Sequence, residues 1–222
     1  MWRHALYCVV AAASLHGLGA AQSNNNDQSQ QGQSLFNGKD RTGWRISDGG
    51  NSAVWGVGNG ILFASEGGAG FLMTAAEFGD FDLRLEYRLP RRGRSGVAIR
   101  SALMGDPLTD GLTIALADDE SWKERDPKRC TGALYDLAAP SRRPAKPAGQ
   151  WNKLHIIARG KQITVELNGT KVVDANLDKL KEQGAERVGL LRKSGHIGLQ
   201  SGEGSVEFRN LFAKDLGNSR QR

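Results

Sequence analysis

Cysteine, proline and long apolar runs are all scarce in this sequence. It has 2 cysteines and 6 prolines in 222 residues. Cys8 falls in an N-terminal segment that we expect to be removed, so Cys130 has no partner for an intramolecular disulfide. The Cys and His spacing of a zinc cage is missing too. We therefore expect a fold held together by its apolar core, with no cofactor.

Motifs of several common enzyme classes are also missing. The chain has no phosphate-binding Gly-x-x-x-x-Gly-Lys, no Gly-x-Ser-x-Gly and no His-Glu-x-x-His. The net charge of +6 is spread thinly, with local clusters only at 91–94 and 142–143. This pattern favours a solvated surface over nucleic-acid binding. An envelope interaction domain that uses residues 91–94 is a weaker alternative.

The N-terminus predicts export. A charged start is followed by an apolar run to Leu18 and by Gly-Ala-Ala at 19–21, as in a secretory signal peptide cleaved after Ala21. No later stretch approaches the roughly 20 apolar residues of a membrane helix. Cys8 is interpreted as a filler residue, with a lipoprotein as the alternative. We predict a signal peptide at 1–21, a disordered polar tether at 22–33, one domain at 34–216 and a flexible tail at 217–222.

Short runs of alternating apolar and polar residues dominate the domain. At 81–89 every odd position is apolar and every even position is charged, which is typical of a half-buried strand. Asn168 and Gly169 separate two such runs and predict a tight hairpin. A helix signal occurs only at 177–183, which argues against a βαβ architecture. Further strands are expected near 55–64, 70–74, 96–101, 112–117, 154–159, 196–200 and 205–214.

These features predict an all-β fold, a two-sheet antiparallel jelly-roll sandwich of the concanavalin or laminin-G type. In the strand at 112–117, the small residues Thr113 and Ala115 share one face. That face has room for a sugar, although a surface packed beneath a loop explains the pattern equally well. Arg100, at the end of the adjacent strand, suits an oxygen-rich ligand.

The acidic run at 118–120 is followed by Trp122. Together they offer a carboxylate and a stacking platform for a sugar, or else an ordinary acidic loop tip. Trp44, Trp55 and Trp151 are interpreted as core residues, with sugar stacking as the alternative.

The order of several motifs resembles the 3-keto-disaccharide hydrolase family over residues 34–216. The motifs are Leu-Phe-Asn-Gly-Lys-Asp at 35–40, Gly-Trp at 43–44, Glu-Phe-Gly-Asp-Phe-Asp-Leu at 77–83, Arg-Ser-Gly-Val-Ala-Ile-Arg at 94–100, Thr-Gly-Ala-Leu-Tyr at 131–135, Gly-Gln-Trp-Asn at 149–152, Ile-Gly-Leu-Gln at 197–200 and Phe-Arg-Asn-Leu at 208–211. The resemblance implies a jelly roll that acts outside the cytoplasm on glycosides oxidised at C3.

The chemistry implied by the resemblance is an elimination. A ketone at C3 acidifies the C2 proton, so a base can remove it and the C1 oxygen can leave before water adds back. For this reaction we predict Asp118 as base, Arg100 as partner of the enolate oxygen and Tyr135 as proton donor. The residues expected to bind substrate are Gln200, Trp122 and Arg209.

The chain also departs from the family pattern. Thr113 and Ala115 replace a Glu and a Gln, Arg94 replaces an Asn, and Ser201-Gly202 replaces Asp-His. Two functions therefore stay open for an exported protein with a glycoside or oligosaccharide ligand. One is a hydrolase or lyase of keto-glycosides, and the other is a non-catalytic carbohydrate-binding or scaffold module on the same fold.

Overall fold

The computed structural model describes residues 32–122, 126–182, 185 and 187–217. The predicted signal peptide, most of the tether and nearly all of the tail lie outside these described residues. Residue 33, predicted as tether, belongs to the domain, because the short strand β1 (Gln33–Ser34) pairs with the last strand of the chain.

Strands dominate the described residues. After β1 come β2 (Trp44–Ile46), β3 (Trp55–Gly58), β4 (Ile61–Ala64), β5 (Phe71–Phe78), β6 (Phe81–Arg88), β7 (Arg94–Ser101), β8 (Leu112–Ala117), β9 (Asn152–Arg159), β10 (Gln162–Leu167), β11 (Thr170–Asn176), β12 (Gly195–Gln200) and β13 (Val206–Asp215). A single short α-helix, α1 (Leu177–Glu182), is present in this part of the chain. Every predicted region contains strand, but 55–64 is a hairpin of the two strands β3 and β4, which pair antiparallel. The strands β1 and β2 are too short to give an alternation signal.

The strands form two antiparallel sheets that pack face to face. The larger has the order β11-β10-β9-β6-β13-β4-β3 with β1 beside β13, and the smaller has the order β2-β5-β12-β7-β8. Non-consecutive strands are neighbours in both sheets, as jelly-roll connections require. The predicted all-β sandwich is confirmed.

Side-chain alternation explains which faces meet. In β6 the residues Phe81, Leu83, Leu85 and Tyr87 are buried between the sheets. Burying each such side chain contributes about 1.5–3 kcal/mol. The charged residues between them face solvent on the outside of the larger sheet. The core is therefore specified by the period of two in the sequence.

Arg100 leaves the row that strand alternation assigns to it. A bulge places one extra residue of β7 opposite Ile197, and Arg100 has a φ of 45°. Its Nε donates to the carbonyl oxygen of Gly79 at 2.8 Å. Its two terminal nitrogens donate to the carbonyl oxygen of Gly160 at 2.6 Å and to Asp80 at 2.9 Å.

These contacts fasten one sheet to the other. Gly79 and Asp80 form the turn from β5 to β6, which lie in different sheets, and Gly160 lies in the turn from β9 to β10. Arg100 is 1% exposed. Burial lowers the pKa of its guanidinium, and the charge of Asp80 acts in the opposite direction. Arg100 thus acts as a buried pin at one end of the sandwich.

Replacing this pin tests its role. We expect Arg100→Met to lower the free energy of unfolding by about 2–4 kcal/mol, because Asp80 and two turn carbonyls lose their donors. Urea unfolding followed by tryptophan fluorescence measures the difference. The matched variant Arg142→Met, at an exposed loop position, should leave the midpoint unchanged. Equal midpoints for both variants would show that Arg100 does not stabilise the contact between the two sheets.

Candidate functional site

A cleft of about 1380 Å³ opens on the outer face of the five-stranded sheet. Thr113 and Ala115 from β8 and Gln200 from β12 contribute to its floor, and loops at the strand ends form its walls. The sequence left two interpretations of the small-residue face of β8 open, a floor for a ligand and a surface packed beneath a loop. The structure shows part of each. Ala115 borders the cleft, and Thr113 lies beneath a loop.

One row of residues crosses the floor of the cleft, and Gln200 is its half-buried member while the others are buried. The strand registers pair Ala115 with Gly96 and Gln200 with Phe71. A Cβ atom on Gly96 would lie 2.9 Å from Oε1 of Gln200. The amide of Gln200 can therefore lie directly over β7 only because residue 96 is a glycine.

Tyr135 stands at the wall next to β8. Its backbone N–H donates to the carbonyl oxygen of Thr113 at 2.8 Å, so the segment is paired onto the strand. The half-buried ring lines the cleft, with the guanidinium carbon of Arg129 5.5 Å from its centroid. A hydrogen bond to Asp136 raises the pKa of Arg129. A permanent positive charge thus lies beside the phenol.

Trp122 lies behind an arginine. The guanidinium carbon of Arg94 is 3.6 Å from the centroid of the Trp122 ring, and that of Arg92 is 5.6 Å away. Arg94 also donates to Glu203 at 3.0 Å. Arg94 and Glu203 line the cleft, so the indole supports Arg94 and is covered by it. The structure does not present Trp122 as the open stacking platform that the sequence predicts.

Asp118 is held at the end of β8. Its side chain is 7% exposed, and Oδ2 accepts hydrogen bonds from Ser121 Oγ and from the backbone N–H of Arg92. Burial alone would raise the pKa of Asp118, but these hydrogen bonds outweigh it and the pKa lies below its usual value. A buried, weakly basic carboxylate does not suit the predicted role of general base.

Two further predicted residues lie away from the cleft. Arg100 is the pin at the other end of the sheet, because the bulge in β7 redirects it. Arg209 belongs to β13 of the larger sheet, where it donates to Glu86 at 2.7 Å and lies over Trp151. Their predicted roles at the substrate are corrected accordingly. Of the six predicted site residues, Tyr135 and Gln200 line the cleft.

Several cleft residues were not predicted as site residues. Arg94, Arg129 and Asp126 line the cleft, as do parts of the loop at 105–108. The replacement of the family's Asn by Arg94 was the single signal that pointed to this group. Loop residues follow no periodicity, so a sequence pattern could not have placed the others.

The described residues contain no group of three or more His, Cys, Asp or Glu side chains that could hold a metal ion. Over the same part of the chain, no helix has the length and apolar character needed to cross a membrane.

The chain matches one known protein family over most of its length. The family described as a 3-keto-alpha-glucoside-1,2-lyase-like domain matches residues 31–214. A 3-keto-disaccharide hydrolase of Bacteroides thetaiotaomicron is 26% identical over 214 residues, which covers 81% of this chain and 73% of the relative.

Solved structures share the fold. A candidate glycosyl hydrolase from Parabacteroides distasonis ATCC 8503 superposes with a TM-score of 0.75 at 23% identity and covers 86% of this chain and 97% of its own. Another from the same organism gives a TM-score of 0.73 at 27% identity, with 83% and 98% covered. These likenesses support the sandwich architecture over nearly the whole domain.

The environment of Asp118 predicts a pH dependence of stability. A carboxyl whose pKa is depressed by folding stabilises the protein above its unfolded pKa of about 3.9, and this contribution is lost as the pH falls through the folded pKa. We expect Asp118→Asn to lower the free energy of unfolding by about 1–2 kcal/mol at pH 7. The difference from the wild type should shrink below about pH 4.

Urea titrations at several pH values measure this difference. Asp48→Asn is the control, because Asp48 is exposed at the rim of the cleft and should show little change at any pH. A deficit for Asp118→Asn that is constant with pH would contradict the assignment.

Proposed function

This chain belongs to the 3-keto-alpha-glucoside-1,2-lyase-like family, and we propose that it is exported and binds a 3-keto-glycoside in the cleft on its five-stranded sheet. The observation that carries the proposal is the row of the floor in which the amide of Gln200 lies over Gly96, beside the wall formed by Tyr135. Small residues let a ring approach the sheet, and polar groups remain there to orient it.

The polar groups of this row match the chemistry of a keto-sugar. A carboxamide both donates and accepts hydrogen bonds, and a phenol does the same, so Gln200 and Tyr135 can pair with hydroxyls and with a C3 carbonyl. Arg94 adds a charged donor at the adjacent wall. The name of the Bacteroides relative, a 3-keto-disaccharide hydrolase, supports a ligand of this class.

Export rests on the first residues of the chain. The charged start, the apolar run to Leu18 and the small residues before Gln22 are the features that a secretory signal peptide requires. We propose cleavage after Ala21, which would release a domain whose single cysteine, Cys130, is buried.

Binding is tested with purified protein lacking residues 1–21, with 3-keto-trehalose or methyl 3-keto-glucoside as ligand. We expect saturable binding in calorimetry. Gln200→Leu should weaken it by about 10- to 100-fold, because the ligand loses one or two hydrogen bonds on the floor of the cleft.

Gln150→Leu is the matched control, because Gln150 is exposed in the turn before β9 and its loss should leave the affinity unchanged. Binding that Gln200→Leu does not affect would place the ligand elsewhere, and no binding by the wild type would refute the proposed ligand class.

A second candidate function is cleavage of the bound glycoside, which the position of Tyr135 beside Arg129 favours. A carboxylate of the cleft removes the C2 proton, and the electron pair moves onto the C3 oxygen as an enolate. The enolate then expels the C1 oxygen, C1 and C2 become doubly bonded, and Tyr135 protonates the departing oxygen. Water adds across the double bond afterwards. Asp126 is the candidate base, because Asp118 lies outside the cleft and Asp126 lines it on the same segment as Arg129 and Tyr135.

Tyr135→Phe separates cleavage from binding. If cleavage occurs, we expect this variant to release the leaving sugar about 100- to 1000-fold more slowly while it binds the glycoside nearly as well, because the proton donor is lost and the ring is kept. Chromatography of the released sugar measures the rate. Asp118→Asn should retain the rate of the wild type. Binding without any release by the wild type would leave the protein as a binding module.

A further inference from the structure

A loop at residues 102–111 lies over part of the sheet face that carries the cleft. Leu103 and Leu108 pack against Phe71, Met73 and Ala98. These three residues face away from the main core, yet Met73 and Ala98 are 0% exposed. The loop therefore covers Met73 and Ala98 in the next row of the sheet, and at Phe71 it also covers the end of the row that carries Gln200.

Hydrogen bonds fix the position of this loop at four points, one of which is made by the backbone N–H of Gly189 to the carbonyl oxygen of Asp110 at 2.7 Å. Thr113 Oγ1 donates to the carbonyl oxygen of Pro107 at 2.9 Å. The backbone N–H of Asp48 donates to the carbonyl oxygen of Leu103 at 3.1 Å, and Arg187 donates to that of Leu108 at 2.6 Å. The loop is thus held by Thr113 of the sheet and by donors from two segments outside the sheet.

The Thr113 bond is the one made from the floor itself. Thr113 is 0% exposed, so its hydroxyl has no access to solvent water and its hydrogen bond goes to the loop. Gly105, Asp106, Pro107 and Leu108 in turn line the cleft. Thr113 thus holds in place a loop that lines the cleft.

A second wall faces the first across the row that carries Gln200. Arg94 lies 3.6 Å over the ring of Trp122 and is paired with Glu203, one row further along β7 than Gly96. Rows on one face of a strand are spaced by two residues, roughly 7 Å. The floor between the two walls is therefore a single row wide.

We infer that the loop at 102–111 is a specificity-determining wall, positioned by Thr113, that limits the cleft to the width of one unsubstituted sugar ring. This inference rests on the proposed function, because it concerns the ligand of the same cleft. Substituents that project from the ring toward the wall would have to displace Pro107 and Leu108, which are packed and hydrogen-bonded. The expected ligand class is a slim 3-keto-glycoside without bulky ring substituents.

The test compares methyl 3-keto-glucoside with its 2-O-, 4-O- and 6-O-benzyl derivatives. For the wild type we expect binding of the parent glycoside and affinity at least about tenfold lower for the derivatives whose benzyl group meets a wall. Thr113→Val removes the donor and keeps the shape. It should reduce this discrimination by about threefold or more, the scale of one hydrogen bond.

Thr113→Ser is the matched control, because it retains the hydroxyl and should retain the discrimination. Amide hydrogen exchange at residues 108–110 gives a readout without ligand, and we expect faster exchange in Thr113→Val than in Thr113→Ser. Equal exchange and equal discrimination in the two variants would overturn the role of Thr113.

Equal affinity of the wild type for all four glycosides would overturn the wall while leaving the proposed function intact. No binding of any of them would overturn the proposed function, and with it this inference. If the parent glycoside binds and discrimination is lost in Thr113→Val but not in Thr113→Ser, the result supports both the proposed function and the role of the wall.

Discussion

The packing of the five-stranded sheet onto the eight-stranded sheet holds every other feature of this protein in place. Apolar residues at alternate positions of both sheets meet in one core, and this burial is the main stabilising term of the fold. Each strand of the smaller sheet is therefore stabilised through its inner face. Its outer face can then carry a residue such as Gly96, which contributes little to stability but lets the amide of Gln200 lie over the strand.

Two charged residues that the sequence suggested for the functional site instead stabilise the ends of the sandwich. A sandwich must close at its ends, where turns expose carbonyl oxygens and strands stop. Arg100 satisfies two such turn carbonyls, and Asp118 accepts a backbone N–H from the turn before β7. Both side chains are buried, and these partners occupy their hydrogen-bonding groups. A charged residue at a strand end is therefore not by itself evidence of a catalytic role.

The sequence determined most of the fold but only part of the site. Alternation at 81–89 and the Asn-Gly pair at 168–169 correctly placed a central strand and a hairpin, because a period of two and a positive φ are local properties. Arg100 was misplaced because a single-residue bulge reverses the faces after Ile99, and no local signal marks it. Tyr135 and Gln200 line the cleft because Gln200 lies on a regular strand and Tyr135 pairs with one.

The walls of the cleft depend on tertiary contacts and could not be predicted in this way. The loop at 102–111 has no periodicity, and its position follows from Leu103 and Leu108 covering apolar residues on the outside of the sheet. Exposing that second apolar face would be unfavourable, so a covering segment is required by the same hydrophobic term that forms the core. Once the loop lies there, Thr113 is buried and its hydroxyl needs a partner, which Pro107 supplies. Thr113 thus links the floor formed by the sheet to a loop that lines the cleft.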